Sequence, residues 1–529
     1  MKTKSICALE FKVKNVLLIA GIVLCTMLSI VSSVMLGNFV DIISASKSFT
    51  ADVRTRLLII FLLMISSALA SLFLGQFLPL KLNLQKSIKN ARDTIGSLLK
   101  INFSQYGKED KGYYINLVTN SSFSAADMYV QKNIEMIGNI ICIAFFMVIA
   151  ASMNVVLAII YIAYIVIYFA VAKKPNDIIS NFQKGGISKQ DRFLSQTKKI
   201  VEEKREINIT RSEDYFEKKY EGISGAYLDF VTKFKLYSLI SQNLPQIFSV
   251  ILLIVTMLYS TQLFFDGSIT LGSIITIFQL SQVLQGPLNR VLEIVSYVKI
   301  NDVHAERLDE FFSKVDEKDE FERLFRPLDA IASFEGGAFF TLGKERRKLF
   351  EVADLHIEPH TLNIIKGGNG SGKSTLLNFM TGFSEADSYT GKAELSQKLR
   401  DAAYLSLPVL LTDGKLSDNM FGKPVDERAK EILQIDFEDK IIDDSVNNLS
   451  FGEQQKVNLL RVLSSDSDII LLDEPFTNLD KDTINNLTGY LKELKEKKTI
   501  VAIMHSDQLD RYADQFIEIS NGRLTAYQR

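Results

Sequence analysis

The sequence has no tryptophan and is poor in cysteine, histidine and proline, with 3, 4 and 9 of them in 529 residues. Cys7, Cys25 and Cys142 show no C-x-x-C spacing, which excludes a disulfide framework and a cysteine-type zinc site. Four histidines leave little for a histidine-rich metal cluster. A hydrophobic fraction of 47% with so few prolines excludes a disordered or low-complexity chain.

An excess of charge of one sign is also missing. The chain has 60 Lys and Arg against 62 Asp and Glu, for a formal net charge of −2. Nucleic-acid-binding domains have a basic surface instead. We therefore expect no nucleic-acid partner, and the length suggests two to four domains at about 150 residues each.

Long apolar runs, in contrast, are abundant before residue 300. A transmembrane helix needs about 20 mostly apolar residues, and the runs that satisfy this cover residues 15–40, 57–80, 134–171, 244–265 and 271–297. The third run is long enough for two helices that separate near Asn154, so the sequence predicts six spans. The first run is too long for the apolar region of a signal peptide, and no A-x-A-like site follows it; we expect it to be retained.

The distribution of basic residues predicts the orientation of these spans. Connections 81–131 and 173–235 are rich in Lys and Arg, whereas connection 265–270 has none. By the positive-inside rule, this predicts a multi-pass protein of the cytoplasmic membrane with both termini in the cytoplasm. Loops of this length without structure are uncommon, so we expect two helical hairpins with docking tips near 117–129 and 207–215.

The composition changes after residue 299. A charged stretch, 301–322, predicts a solvated helix, and Pro327 marks a boundary. Beyond it, short apolar strands alternate with helical patterns, which is typical of an α/β domain. We expect an α-helical transmembrane domain over residues 1–325 and an α/β P-loop domain over 326–529.

Residues 367–374, GGNGSGKS, fit the phosphate-binding pattern G-x-x-x-x-G-K-[ST] between an apolar strand and a helical segment. Glycines let backbone N–H groups surround phosphates at a helix N-terminus. Lys373 would neutralise phosphate charge, and Ser374 would bind Mg²⁺. The predicted ATP contacts are Gly367, Gly368, Asn369, Gly370, Ser371, Gly372, Lys373, Ser374 and Thr375.

Two further apolar strands end in residues that suit ATP hydrolysis. Residues 469–472 (IILL) precede Asp473, a predicted Mg²⁺ ligand, and Glu474, a predicted base for the attacking water. The strand over 499–504 precedes His505, a predicted γ-phosphate contact. Ligands of open α/β sheets bind at such carboxyl strand ends.

Residues 449–456, LSFGEQQK, resemble the LSGGQ signature of ATP-binding-cassette (ABC) proteins. Residues 473–475 (DEP) and 478–480 (NLD) resemble the Walker B motif and D-loop of that family, and His505 resembles its H-loop. With six preceding spans, the whole chain resembles a bacterial exporter-type half-transporter with fused membrane and nucleotide-binding domains.

The resemblance implies that two chains enclose two ATP molecules with Mg²⁺. Each ATP would lie between the P-loop of one chain and residues of the other, namely Ser450, Gly452, Glu453 and Asp480. It also implies that 117–129 and 207–215 are coupling helices.

The sequence departs from the family pattern at several positions. Leu407 stands where the family has a glutamine, and leucine cannot bind Mg²⁺ or position water. Phe451 and Glu453 replace two letters of the common signature. The adenine-stacking aromatic of the family falls near Phe340 or, in an ungapped alignment, at Leu342.

These features favour an ATP-driven exporter of a peptide-like or amphipathic substrate, in contact with membrane lipid. The evidence for the substrate is a set of polar residues in the last span, although the same residues could join helices instead: Thr276, Gln279, Gln282, Gln285, Asn289 and Glu293. An importer-like or lipid-flipping transporter and a regulatory ATPase remain as alternatives. A homodimer is favoured, and a heterodimer stays open.

Overall fold

The computed structural model describes residues 13–45, 51–107, 109–316, 320–341, 346–438, 440–443 and 448–529. They form two compact units. One consists of the residues before 102 together with 108–317, and the other of 102–107 together with the residues from 318 onward. The expected domain boundary between 325 and 326 falls a few residues inside the second unit and stays a prediction.

The first unit is helical. Its first helices are α1 (Val13–Ala45), α2 (Ala51–Ala70) and α3 (Leu78–Leu98), and a π-helical stretch, Ser71–Phe77, joins α2 to α3. The short helix α4 (Phe103–Tyr106) belongs to the second unit. In the first unit, helices α5, α6 and α7 then follow one another through two further π-helical stretches; they are Lys111–Asn116, Ser122–Val130 and Met136–Met153. The remaining helices are α8 (Val155–Glu202), α9 (Lys204–Ile209), α10 (Glu213–Phe265) and α11 (Leu271–Asp316).

Four described helices are long and apolar enough to cross a membrane. They are Asn15–Ser44, Val53–Leu98, Lys111–Met153 and Ile247–Phe265, and Val155–Val171 is a shorter apolar helix. Much of their apolar surface is exposed, for example at Leu62 and Leu258, as lipid contact requires. The count of six spans stays a prediction.

The helical break expected near Asn154 is confirmed. Asn154 has extended backbone dihedrals between α7 and α8. Its side-chain oxygen accepts hydrogen bonds from the backbone N–H groups of Val156 (2.8 Å) and Leu157 (3.3 Å). Asparagine is a favoured N-cap because it satisfies N–H groups that have no partner within the helix.

The expected tip at 117–129 was wrong. Those residues lie within the helical run from α5 to α7, and the chain reverses between α3 and α5 instead. The mixture of apolar and polar residues reflects internal packing: Leu117 and Met128 are buried with Leu308 and Phe311 of α11. Contact with another helix, rather than docking at a tip, explains the pattern.

The second expected hairpin is present. Helices α8 and α10 pack along each other, with stacked aromatic pairs such as Phe193 and Tyr227, whose ring centres are 4.9 Å apart. The short helix α9 and the turn after it lie between them. The expected tip at 207–215 therefore includes the reversal of the chain.

The charged stretch after residue 300 is less solvated than expected. Residues 301–316 form the end of α11, but Asn301, His304 and Leu308 are buried. A ring contact between Phe311 and Tyr114 of α5 lies on the same face. Most of its charged residues lie on the opposite face, but Arg307 is nearly buried and pairs with Asp191 of α8 at 2.9 Å. An apolar stripe and this ion pair hold the helix against the unit.

The second unit is built on one ten-stranded sheet in the order β1-β5-β2-β3-β10-β9-β4-β8-β7-β6. In chain order, β1 to β10 are Phe325–Arg326, Ala332–Phe340, Lys348–Ile357, Leu362–Gly367, Lys392–Ser396, Ala403–Leu405, Ile469–Asp473, Thr499–Ile503, Gln515–Ser520 and Arg523–Gln528. Helices α12 to α15 are Lys373–Met380, Glu427–Ile432, Phe451–Leu463 and Lys481–Leu494.

The central strands are buried on both faces. Successive side chains of a strand point to opposite faces, and Ile364 and Ile365 of β4 accordingly lie in two different hydrophobic clusters. Strands β4, β8, β7 and β6 are parallel to their neighbours in this order. Their carboxyl ends therefore meet at one edge of the sheet, where the P-loop, Asp473 and His505 follow.

Candidate nucleotide-binding site

The P-loop, residues 367–374, connects β4 to α12 as expected. Gly372 precedes α12 with φ of +103°, and a Cβ atom there would lie 2.6 Å from the ring of Phe350. Only glycine meets both conditions without strain. The Lys373 ammonium donates to the carbonyl oxygens of Gly367 (2.8 Å) and Gly368 (3.0 Å), so it lies across the mouth of the loop.

Ser374 and Asp473 meet at the edge of the sheet. The Ser374 hydroxyl donates to a carboxylate oxygen of Asp473 at 2.8 Å, although the two residues are far apart in the chain. Burial raises the pKa of the Asp473 carboxyl, and the hydrogen bond from Ser374 opposes that rise. A hydroxyl and a carboxylate are oxygen ligands of the kind that Mg²⁺ prefers.

Glu474 and His505 also meet there. The Nε2 atom of His505 lies 3.0 Å from a carboxylate oxygen of Glu474. Glu474 has φ of +53°, which is uncommon outside glycine, and its N–H donates to the carbonyl of Ile503 in β8 at 3.2 Å. Such backbone strain concentrates at functional sites, and here it directs the carboxylate toward the strand end that precedes His505.

A cavity of about 520 Å³ unites these residues. Its lining contains residues 369–375, Asp473, Glu474 and His505. The hydroxyl oxygen of Ser371 is buried and has no hydrogen-bond partner among the described residues. An open cavity with an unpartnered donor at a helix N-terminus fits a phosphate group.

Sequence reasoning missed five lining residues: Thr341, Leu349, Asn378, Phe383 and Ser384. Asn378 could have been found, because it lies one helical turn after Ser374 on α12 and so shares its face. Its side-chain oxygen accepts from the Tyr404 hydroxyl at 3.1 Å. The other four come from loops and strand ends that no local pattern marks.

The adenine contact stays a prediction. The Phe340 ring, at the end of β2, is covered by the Arg346 guanidinium at 4.4 Å from the ring centre. The cavity is lined by its neighbour Thr341 rather than by Phe340 itself. The alternative position, Leu342, lies outside the described residues.

The signature residues begin α14. Ser450 is its N-cap: its hydroxyl accepts from the Glu453 N–H at 3.2 Å, while a Glu453 carboxylate oxygen accepts from the Ser450 N–H at 2.7 Å. This reciprocal capping box explains glutamate at that position. A Cβ atom on Gly452 would lie 2.8 Å from the carbonyl oxygen of Asn478, which requires glycine there.

The D-loop residue Asp480 caps the next helix. Its carboxylate accepts from the Thr483 N–H at 2.9 Å and from the Thr483 hydroxyl at 2.7 Å. These hydrogen bonds lower the pKa of Asp480 to about 2. The described lining of the P-loop cavity contains neither Asp480 nor Ser450, Gly452 and Glu453.

Leu407 follows the end of β6. That strand ends at Leu405, which pairs with Leu472 of β7, so Ser406 comes level with Asp473 and Leu407 lies one residue further. The Leu407 side chain is 57% exposed. Thr412 is engaged elsewhere, since its N–H and carbonyl both bond to the Asn419 side chain. The described cavity lining includes none of the three, and the consequence of Leu407 stays a prediction.

Two family models match this chain. One, described as the ABC transporter transmembrane region, matches residues 16–288, and the other, described as ABC transporter, matches residues 350–477. The chain belongs to the ABC transporter family. As a member of the ABC transporter family, it carries a transmembrane region and an ATP-binding ATPase domain of a transporter in one polypeptide.

The curated relatives of this chain have low sequence identity to it. ABC transporter C family member 13 of Oryza sativa subsp. indica is 24% identical over 362 residues, which are 65% of this chain and 24% of the relative. ATP-dependent lipid A-core flippase of Xylella fastidiosa is 21% identical over 435 residues, 77% of this chain and 72% of the relative. ATP-dependent lipid A-core flippase of Nitrosococcus oceani is 23% identical over 349 residues, which are 61% of this chain and 58% of the relative. This chain thus spans about a quarter of the length of the rice relative.

The fold resembles a solved exporter structure. The structure of a bacterial Atm1-family ABC exporter with ATP bound superimposes with a TM-score of 0.81 and covers 97% of this chain and 95% of that chain, at 14% sequence identity. The chain therefore has the fold of an ABC exporter half-transporter, as the motifs indicated.

Proposed function

We propose that this chain is one half of an ATP-driven exporter of the cytoplasmic membrane, with both termini in the cytoplasm. The observation that carries the proposal is the convergence in one cavity of the P-loop, the Ser374–Asp473 contact and the Glu474–His505 contact. These are the groups that phosphate binding and water activation need, and they lie in the same polypeptide as a transmembrane region.

Each group has a defined task in hydrolysis. Lys373 and the P-loop N–H groups bind the phosphates. Ser374 and Asp473 would hold Mg²⁺, which supplies positive charge that stabilises the phosphoryl group when bound. Glu474 accepts the proton of the attacking water, and His505 positions the Glu474 carboxylate and contacts the γ-phosphate.

A second chain would complete each site. We assign Ser450 and Gly452, at the N-terminus of α14, to the γ-phosphate held by the partner, because a helix N-terminus favours negative charge. Glu453 would position Ser450 rather than contact the phosphate, since its carboxylate accepts from the Ser450 N–H. A homodimer would have two identical sites, and we favour it over a heterodimer.

The proposed substrate is peptide-like or amphipathic. In α11, Gln279 and Gln285 are half-buried and Gln282 is exposed, so amide groups remain for a substrate, whereas the exposed Glu293 is paired with Arg290 at 3.0 Å. Two other residues already have partners: Thr276 donates to the Gly272 carbonyl within α11 at 3.0 Å, and Asn289 accepts from the Tyr168 hydroxyl of α8. The lipid A-core flippase relatives favour lipid flipping as the second candidate.

The full chain in liposomes tests this proposal. We expect ATP hydrolysis in the wild type and its loss in Lys373→Ala, because the phosphates lose their main cation. The control is Lys398→Ala, which removes an exposed lysine from the same unit. Unchanged ATP affinity in Lys373→Ala would contradict the assignment of Lys373.

The transport step needs its own measurement. Fluorescent peptides trapped in vesicles report export, and a fluorescent lipid analogue whose headgroup becomes accessible to a quencher reports flipping. ATP-dependent movement of peptides alone favours the first candidate, and movement of the lipid alone favours the second. ATP hydrolysis without movement of either cargo favours a regulatory ATPase.

A further inference from the structure

A second cavity lies within the transmembrane unit, and it contains charged groups. Its volume is about 640 Å³, in the range of sites for small organic molecules. The walls come from α1, the π-helical stretch Ser71–Phe77, α3, the helical run from α5 to α7, and α11. Charged side chains within membrane domains are costly and usually mark a substrate path.

The charges that line this cavity are Asp127, Glu135 and Arg290. Arg290 donates to Glu135 through Nε at 2.7 Å and through a terminal nitrogen, and it also contacts Glu293 at 3.0 Å. Arg290, the one cation in the described lining of the cavity, is thus already neutralised by two carboxylates. An anionic ligand would have to compete with both.

The hydrogen-bond partners of Asp127, unlike those of Arg290, are uncharged. Its two carboxylate oxygens accept from the side-chain amides of Asn83 (2.7 Å) and Gln131 (2.9 Å), and the Tyr297 hydroxyl is a further partner. Among the described residues, these partners are all neutral. A carboxylate offers about four acceptor positions, so the Asp127 carboxyl has acceptor capacity left for the N–H groups of a cation.

The remaining lining combines polar and apolar side chains. Among the uncharged polar side chains of the lining, Ser71, Gln76 and Asn139 contribute further hydrogen-bonding groups. Ile22, Leu80 and Val130 add apolar surface. In the described residues no group of three or more His, Cys, Asp or Glu side chains could hold a metal ion, so the expected cation is organic.

We propose that this cavity binds the amine group of an amphipathic organic cation, with Asp127 as its counter-ion and Ile22, Leu80 and Val130 against its apolar part. The inference names the substrate class of the exporter and therefore rests on the proposed function. The same amine chemistry occurs in soluble molecules and in lipid headgroups, which the experiment has to distinguish.

The absence of tryptophan from the chain provides a clean binding signal. Leu80 lines the cavity and is 55% exposed, so Leu80→Trp places a single reporter there. We would titrate the full-length Leu80→Trp chain in dodecyl maltoside micelles, without nucleotide. The probes are 4-phenylbutylamine, 4-phenylbutanol and 4-phenylbutyrate, which share an apolar body and differ in charge.

We expect saturable quenching by the amine with at least tenfold higher affinity than for the alcohol or the acid. Asp127→Asn should remove this preference and leave alcohol binding unchanged. Asp127→Glu should retain it, and the matched control Asp93→Asn, on the exposed face of α3, should have no effect. If Asp127→Asn fails to fold, the proposal is tested by the preference for the amine probe in the parent Leu80→Trp chain and in Asp127→Glu. Both should bind the amine more tightly than the alcohol and the acid.

Equal affinity for the three probes, or an amine preference that survives in folded Asp127→Asn, would overturn the inference. Micelles doped with phosphatidylethanolamine identify the source of the amine: weaker binding of 4-phenylbutylamine assigns the site to a lipid headgroup, and unchanged binding assigns it to a soluble amine. Because the titration contains no ATP, a failure here leaves the hydrolysis assay unaffected. Conversely, an amine preference in a chain without ATPase activity would refute only the export function.

Discussion

His505 Nε2 and a carboxylate oxygen of Glu474 lie 3.0 Å apart, although the two residues follow different strands, β8 and β7. The parallel pairing of Asp473 with Ile503 brings the two strand ends level. A histidine at this distance fixes the orientation of the carboxylate, which a base needs to accept a proton from one particular water. The Glu474–His505 contact therefore defines where hydrolysis is expected to occur.

The first prediction concerns the base. Glu474→Gln should retain ATP binding and reduce hydrolysis by about 10²–10⁴-fold, the usual effect of losing a general base. Steady-state phosphate release and equilibrium nucleotide binding measure the two effects. The control is Glu358→Gln, which changes an exposed glutamate just before the N-terminal end of β4, at the other end of the strand from the P-loop. Hydrolysis at the wild-type rate in Glu474→Gln would refute the role.

The second prediction concerns assembly across two chains. Ser450→Asp should abolish hydrolysis because it puts a negative charge where the partner's γ-phosphate would lie. Ser450→Asn should have a smaller effect, since both residues are good N-caps and preserve α14. Mixed dimers of Ser450→Asp chains and Lys373→Ala chains should regain activity, because one intact P-loop then faces one intact signature. Inactive mixed dimers of confirmed composition would argue against sites shared between chains.

The third prediction concerns the position of the missing glutamine. Mg²⁺ would still have Ser374 and Asp473, and the attacking water would still have Glu474, so we expect slow but genuine ATP hydrolysis in the wild type. Leu407→Gln should raise turnover or at least preserve it. Leu410→Gln, at a 68% exposed position in the same loop, is the matched control and should change nothing. A fall in turnover specific to Leu407→Gln would show that the leucine itself is needed.

The fourth prediction concerns acid stability. Burial, with the positive charge of Arg307, lowers the pKa of His304 from 6.5 to about 4, and its Nδ1 atom lies 3.0 Å from the Ser121 hydroxyl. The unfolded chain binds a proton at His304 at a higher pH than the folded chain does. The free energy of unfolding is therefore highest above pH 6.5 and falls as the pH drops toward 4. A difference of this size corresponds to at most about 3 kcal/mol.

Thermal unfolding of the full chain between pH 7 and pH 4 tests this linkage. His304→Gln should lose less stability over that interval than the wild type, because glutamine does not titrate. The more exposed His356, in the second unit, provides the control variant His356→Gln. Equal pH dependence of the wild type and His304→Gln would exclude a contribution from His304.

Where local structure depends on neighbouring residues in the chain, the prediction from sequence agrees with the fold. The P-loop, the strand before Asp473 and the strand before His505 lie where they were expected. The interactions that shape these motifs, namely the backbone freedom of glycine, the burial of apolar strands and the N–H groups of helix N-termini, involve residues close together in the chain. A local sequence pattern is therefore enough to predict them. The break at Asn154 was found for the same reason, since an N-cap interacts with the next two or three residues.

Other features depend on which distant surfaces pack together, and they could be read only from the folded chain. A mixed pattern over 117–129 fits a docking tip as well as a buried helix, and contact with α11 selected the helix. The charge balance around Asp127 follows from the pairing of Arg290 with Glu135, which lie in different helices. The motifs were therefore sufficient to identify the family, the order of its membrane and ATPase parts and the P-loop, because these follow from local patterns. The position of the chain reversals and the charge of the membrane cavity were decided by long-range packing, which no local pattern encodes.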